Sequence, residues 1–378
     1  MIQKKYIYKI YDSSGNYLTT WKDVSGPPNF SYKINSGVSE LTVKLGRQFN
    51  DFGEGFDVNI GNELKLYVSD VETPTTVQIY DGELSKYHLI IGETHDIEIT
   101  FTGYVNQLSK RIVINGSGET TIQYSQTEPA TIIENIIDLV GDNVTYTASS
   151  IDTTGISVSY DIVQNSALEV IERMADLVPN NWYWYLDNSN VLHLHQFSET
   201  SPTKFYIGKH INQIEITKSG ENMYNRYYFL GGSNLYRKFD RNGSQDEFGM
   251  KDKREQDERI TNVQTASNRA LAYLDKYDHP TMNVTCTVID SNVDPKNGID
   301  IEQLVPGQAM QIFHPTINFQ QNEPFWDDDN TKWDEDYWDF TIISAIGQIM
   351  RLEEIHYFGT GATLKMGVLI PDVSKVIK

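Results

Sequence analysis

Residues 61–66 read GNELKL and residues 307–312 read GQAMQI. In each, a glycine opens a strand-like run. Two more glycines follow each of them: Gly82 opens GELSKYH and Gly103 closes DIEITFTG, while Gly347 opens GQIMRLEEIHY and Gly367 closes ATLKMG. The Gly82 to Gly103 interval is 21 residues and the Gly347 to Gly367 interval is 20. The preceding intervals differ, at 21 residues from Gly61 to Gly82 and 40 from Gly307 to Gly347. Such spacing predicts a β unit present twice, the second copy carrying an insertion in one inter-strand loop.

The extra residues coincide with FWDDDNTKWDEDYWDF, 325–340, which sets three tryptophans and seven carboxylates against one lysine. A helix would stack like charges at three- and four-residue spacing, and a buried strand has no place for so many carboxylates, so a loop is expected. Trp326, Trp333 and Trp338 each precede an aspartate, Asp327, Asp334 and Asp339, and these six are the candidate interaction loop. Their indoles suit anchoring on a barrel or a neighbouring protein; a sugar ligand is the weaker alternative. Counted from Asp327, the sixth place is Lys332 and the twelfth Trp338, which fails the glycine and glutamate requirements of an EF-hand loop and leaves irregular calcium binding as a minor alternative.

Outward from these runs the chain is mostly β. KYIYKIYD, LTVKLG, ELKLYVSD, TVQIYDGEL and HDIEITFTGYV read as strands, with Leu41, Val43 and Leu45 on one face and turns at SSGN (13–16) and SGPP (25–28). Residues 1–115 therefore form a β domain, a barrel or a sandwich. From 116 to 200 the pattern changes to a small α+β domain. Its first helix, in TEPATIIENIIDLVG, has Thr127 as the expected cap and Ile133, Ile136, Ile137 and Val140 as its stripe. A second helix at 166–178 opens on a Ser166/Glu169 capping box, and NWYWYL, DNSN and VLHLHQF follow as a hairpin. Residues 201–378 resume strands, with a polar insertion at 233–262, a helix over 265–277 and the Trp/Asp-rich insertion at 318–340. The charged run 236–260 is expected to be a long exposed loop or a partly ordered insertion.

Chemistry is sparse. A formal net charge of -21 argues against a surface that grips nucleic acid. The one cysteine, Cys286, excludes an intrachain disulfide framework and lies in MNVTCTVID as a packed strand thiol. His193 and His195 share one face of a strand, but the sequence identifies no third ligand, so no metal and no cofactor are expected. No G-x-S-x-G, H-E-x-x-H, P-loop or G-x-G-x-x-G occurs, and no catalytic residue is expected. The amino terminus alternates polar and apolar residues, unlike a signal peptide, and no run approaches the ~18 apolar residues of a membrane span.

The order of β domain, two-helix α+β domain and second β domain resembles the central hub of phage tails, the baseplate hub or tail-associated family. The resemblance rests on IGNELKLYVSD with IYDGEL, SALEVIERMADLVPNNWYW, IEITKSGENMYNRYYFLGG, and LVPGQAMQI followed by LEEIHYFGTGATLKMGVL. It implies a mainly β fold in which two related, tail-tube-like β-barrel domains flank the α+β domain. It also implies a homotrimeric, pseudo-sixfold ring at the virion tail tip, made in the bacterial host cytoplasm. Expected partners are the tail tube or distal tail protein, the tape-measure protein and a tip spike or fibre, with DNA only in transit. An acidic channel wall suits passage of a duplex without adhesion. The chain ends eleven residues past Gly367, so any enzymatic extension is expected on another protein. A β-rich carbohydrate-binding module for host-surface recognition is the alternative.

Overall fold

The computed structural model describes residues 4–21, 24–45, 58–70, 76–90, 96–140, 143–289, 299–313, 348–359 and 361–368. The first region supplies β1 (Lys4–Tyr11), β2 (Tyr17–Trp21), β3 (Val24–Ser25), β4 (Phe30–Lys33), β5 (Leu41–Leu45), β6 (Glu63–Asp70), β7 (Thr76–Ile90) and β8 (Asp96–Thr102). Next come α1 (Val105–Lys110), β9 (Thr121–Thr127), α2 (Pro129–Val140), β10 (Val158–Val163), α3 (Ala167–Ala175), β11 (Trp182–Leu186) and β12 (Leu192–Gln196). Then follow β13 (Thr203–Tyr206), β14 (Ile211–Ser219), β15 (Arg226–Gly231), β16 (Tyr236–Asp240), α4 (Asn242–Phe248), β17 (Asp252–Asp257) and α5 (Val263–Tyr277). The last are β18 (Thr281–Ile289), β19 (Ala309–Phe313), β20 (Ile349–Tyr357) and β21 (Gly361–Gly367).

The chain divides into two compact units: Gln3–Gln196 with Gly220–Pro280, and Phe197–Ser219 with Thr281–Lys378. In the first, an antiparallel sheet runs in the order β2-β1-β6-β7-β8-β5-β3 and curls as a half-barrel. Alternation drives it: Leu41, Val43 and Leu45 of β5 are buried, and they lie opposite Phe101, Ile99 and Ile97 of β8. Those apolar cross-strand pairs fix the register, because a slip of one residue would turn the whole set to solvent.

The second unit has its own curled sheet, ordered β13-β19-β20-β21-β18-β14. Its core includes Phe205, Val284, Cys286, Met310, Leu352 and Met366, all at most 1% exposed. The strand pairs β5-β8-β7-β6 and β18-β21-β20-β19 follow the same antiparallel path. Correspondence extends to single residues. Leu41, Phe101 and Leu84 lie opposite one another along the first sheet, as Val284, Met366 and Leu352 do along the second. A register shift then falls between Leu84 and Lys86 in β7 and between Leu352 and Glu354 in β20. The mainly β fold with two related sheets and few helices is thus present. Its register differs from the glycine spacing: Leu352 matches Leu84, so Met350, not Gly347, stands where Gly82 does. Gly347 lies outside the described residues.

Between the sheets in sequence, α2 and α3 pack Ile132, Ile133, Ile136, Val170, Ile171 and Met174 into one core with Trp184 of β11. Ser166 caps α3: its hydroxyl accepts from Glu169 N at 3.3 Å, and Glu169 Oε2 accepts from Ser166 N at 3.0 Å. Thr127 does not cap α2. It ends β9, and its hydroxyl donates to the Ser125 carbonyl at 3.2 Å. The helix over 263–277 starts two residues before the expected 265, because Asn262 accepts from the N–H groups of Gln264 and Thr265.

The charged run 236–260 is a correction. Instead of a loop it forms β16, α4 and β17, with β16 antiparallel and β17 parallel to β15. The central strand carries the apolar load, Tyr227 and Phe229, which join Ala266, Ala270 and Leu274 of α5 in the α2/α3 core. The outer strands need only ladder hydrogen bonds and solvated faces, so their sequences are polar.

Candidate functional site

Trp326, Asp327, Trp333, Asp334, Trp338 and Asp339 lie outside the described residues. Among the described ones, polar chemistry concentrates where the first sheet meets the β11-β12 hairpin. The turn at 35–36 fastens β11 by backbone contacts: Asn35 N donates to Trp184 O at 2.6 Å, and Leu186 N to Ser36 O at 3.0 Å. Trp184 is fully buried. It is therefore core.

Asp81 sits at the centre of this seam, 1% exposed. Its strand neighbours Ile79 and Tyr80 are buried as well, because both faces of β7 are covered there. Tyr80 points one way, its hydroxyl within 3.0 Å of the Ser39 and Phe101 carbonyls. Asp81 points the other way, where its Oδ2 accepts from Asn190 Nδ2 at 3.3 Å and Gln78 Nε2 at 3.4 Å, with Lys65 Nζ at 3.7 Å. Burial pushes its carboxyl up to about 8, the Glu63 charge adding to the rise and Lys65 opposing it. Glu63 and Glu83 face each other across β6 and β7. Donors answer this like-charge pair: Tyr104 OH to Glu63 at 3.0 Å and Gln107 Nε2 to Glu83 at 2.5 Å. Asn188 returns a hydrogen bond to the Gln78 carbonyl at 3.4 Å.

The hairpin's outer face carries a second constellation. His193 and His195 are brought together, Nδ1 of the first 3.2 Å from Nε2 of the second. Asp187 lies 3.1 Å from His193 and Asp152 lies 2.8 Å from His195. Burial works against the Asp187 charge, yet hydrogen bonds from His193, Val191 and Ser189 hold that carboxyl below its usual range. Tyr185 stacks on His193 at 4.6 Å with planes 3° apart.

Asp81, buried under the hairpin, is closed to solvent. Cys286 is buried, which pushes its thiol up to about 12 and keeps it protonated. Among the described residues no group of three or more His, Cys, Asp or Glu side chains converges as a metal site. No helix among them is long and apolar enough to cross a membrane. The sequence signalled the histidine pair through period two. Asp81, Glu63, Tyr104 and Asn190 were not legible, since 109 residues separate Asp81 from its partner Asn190.

No protein-family model matches the sequence, and no curated protein matches it. Solved structures do. The chain is similar to the 43 kDa tail protein of prophage MuSo2 from Shewanella oneidensis, with TM-score 0.63 and 12% identity over 96% of this chain and 98% of that one. A tail protein from Neisseria meningitidis MC58 gives 0.61 and 10%, covering 96% of each chain. Prophage tail protein gp18 from Listeria monocytogenes EGD-e gives 0.58 and 10%, over 98% and 97%. The chain has the fold of these tail proteins along nearly its whole length.

Proposed function

We propose that this chain is the structural hub at the distal end of a phage or prophage tail. Three copies form a ring that joins the tail tube to the tip and host-recognition apparatus and lines the channel for tape-measure protein and DNA. The observation that carries the reading is the repeated four-strand path with its register shift at Leu84/Lys86 and again at Leu352/Glu354. Two related sheets per chain in a threefold ring give six similar positions, which lets one chain adapt threefold to sixfold symmetry. The tail-protein fold and the charge of -21 support the same reading, since an acidic lining keeps DNA hydrated and moving.

In this proposal the barrel domains draw on residues 1–115 and 201–378 and flank the α+β domain 116–200, with 220–280 returning to the first compact unit. The role is non-enzymatic, and the protein acts in the virion after synthesis in the host cytoplasm. Trp326, Trp333 and Trp338 with Asp327, Asp334 and Asp339 form an anchor for a neighbouring tail protein. Deleting 320–340 should weaken that contact and leave both sheets folded; loss of glycan or host-cell binding with assembly intact would favour the recognition alternative.

The ring is tested by light scattering across a concentration series. A mass near 130 kDa, three times the 43.2 kDa chain, is expected. A monomer at every concentration, alone and with the neighbouring tail proteins added, overturns it.

A further inference from the structure

His193 and His195 are unusual in how their four ring nitrogens are used. Both outer nitrogens are taken: His193 Nε2 meets Asp187 Oδ2 at 3.1 Å, and His195 Nδ1 meets Asp152 Oδ2 at 2.8 Å. A carboxylate oxygen only accepts, so each neutral imidazole carries its proton outward and presents a lone pair inward. The inward atoms, His193 Nδ1 and His195 Nε2, are 3.2 Å apart. Two lone pairs at that distance repel unless a proton or a metal cation lies between them.

We propose that this pair chelates a divalent first-row transition metal of the zinc class, filling two coordination positions and leaving the others for water or for a donor from another molecule. Three observations carry it. With metal–nitrogen bonds of about 2.05 Å, two nitrogens of a tetrahedral site lie roughly 3.3 Å apart, close to the spacing found. A carboxylate on the far nitrogen of each imidazole is the outer shell that sets tautomer and ring orientation in metal-binding histidines.

The third observation is rigidity with access. Tyr185 stacks on His193 at 4.6 Å, and the N–H groups of Ser189 and Val191 hold Asp187 at 2.7 and 2.9 Å. The histidine side chains remain 20% and 24% exposed, so an ion and an outside ligand can reach them. No third side chain converges among the described residues, so the site is a two-point chelate. Nickel and copper should bind in their usual order relative to zinc, because imidazole suits all three.

The test is isothermal titration of zinc chloride, then nickel chloride, into the full chain without a histidine tag, in a non-coordinating buffer. One ion per chain is expected for the wild type. His193→Ala and His195→Ala should each abolish saturable binding, and Asp152→Asn should weaken it about 10- to 100-fold, with far-UV circular dichroism unchanged in all. No saturable binding by the wild type, or binding that survives both alanine variants, overturns the proposal. Nitrogen-15 spectra of the histidines supply a second readout. Zinc should shift the inward nitrogens alone, whereas a proton shared between those nitrogens that zinc does not displace assigns the pair to the proton and overturns the metal.

Discussion

Gly61 donates its backbone N–H to the Leu84 carbonyl at 3.1 Å and the Asn62 carbonyl accepts from Leu84 N at 2.7 Å, which ties the turn before β6 to β7. The second sheet repeats it. Gly307 N donates to Leu352 O at 2.7 Å, and Leu352 N to Gln308 O at 2.9 Å. Both glycines have left-handed backbones, φ 92° and 88°.

Because the same conformation is used twice, Gly61→Ala and Gly307→Ala should each destabilise the fold by about 1–2 kcal/mol. Urea midpoints of the two variants measure this. A neutral outcome at Gly307 with a cost at Gly61 would contradict the matched turns.

Asp81 predicts a pH dependence. Its folded carboxyl titrates near 8 against about 3.9 unfolded, so between those values the folded chain binds more protons than the unfolded one. This contribution is full below about pH 4 and is lost as pH rises through 8, with a slope no steeper than about 1.4 kcal/mol per pH unit. Asp81→Asn keeps the shape and should flatten that fall. Unfolding curves at pH 5 and pH 8 decide it; an identical slope in the variant refutes the assignment.

Arg269 ties α5 to the rest of the first unit, its guanidinium 2.6 Å from Asp176 and 3.1 Å from Glu255, with the side chain 13% exposed. Removing it leaves Glu255, 17% exposed, without its closest cation. Arg269→Ala should cost about 3 kcal/mol. Faster amide exchange is expected in α5 and β15 first, and exchange unchanged there would argue that the helix is held by apolar packing alone.

Cys286 should resist alkylation. In the folded chain its thiol is buried and protonated, so iodoacetamide at pH 7.5 should label it only as fast as the second unit opens. Rapid labelling without denaturant would place the thiol at the surface.

By itself the sequence determined the local elements whose causes are local. Period two placed Leu41, Val43 and Leu45 on one face of β5, the Ser166/Glu169 box opened α3, and Gly61 and Gly307 marked the starts of two matching strand runs. The repeated β unit was legible for the same reason, although not its register, which strand pairing sets. Tertiary structure alone decided what depends on distant neighbours. Asp81 is buried because a hairpin more than a hundred residues away covers its face. Polar segments β16 and β17 became strands because β15 offered ladder hydrogen bonds on both edges. His193 and His195 shared a face by sequence, but only folding set Asp152 against the outer nitrogen of His195, 43 residues away. Residue order fixes alternation and capping; which polar groups lose water is set by whatever packs over them.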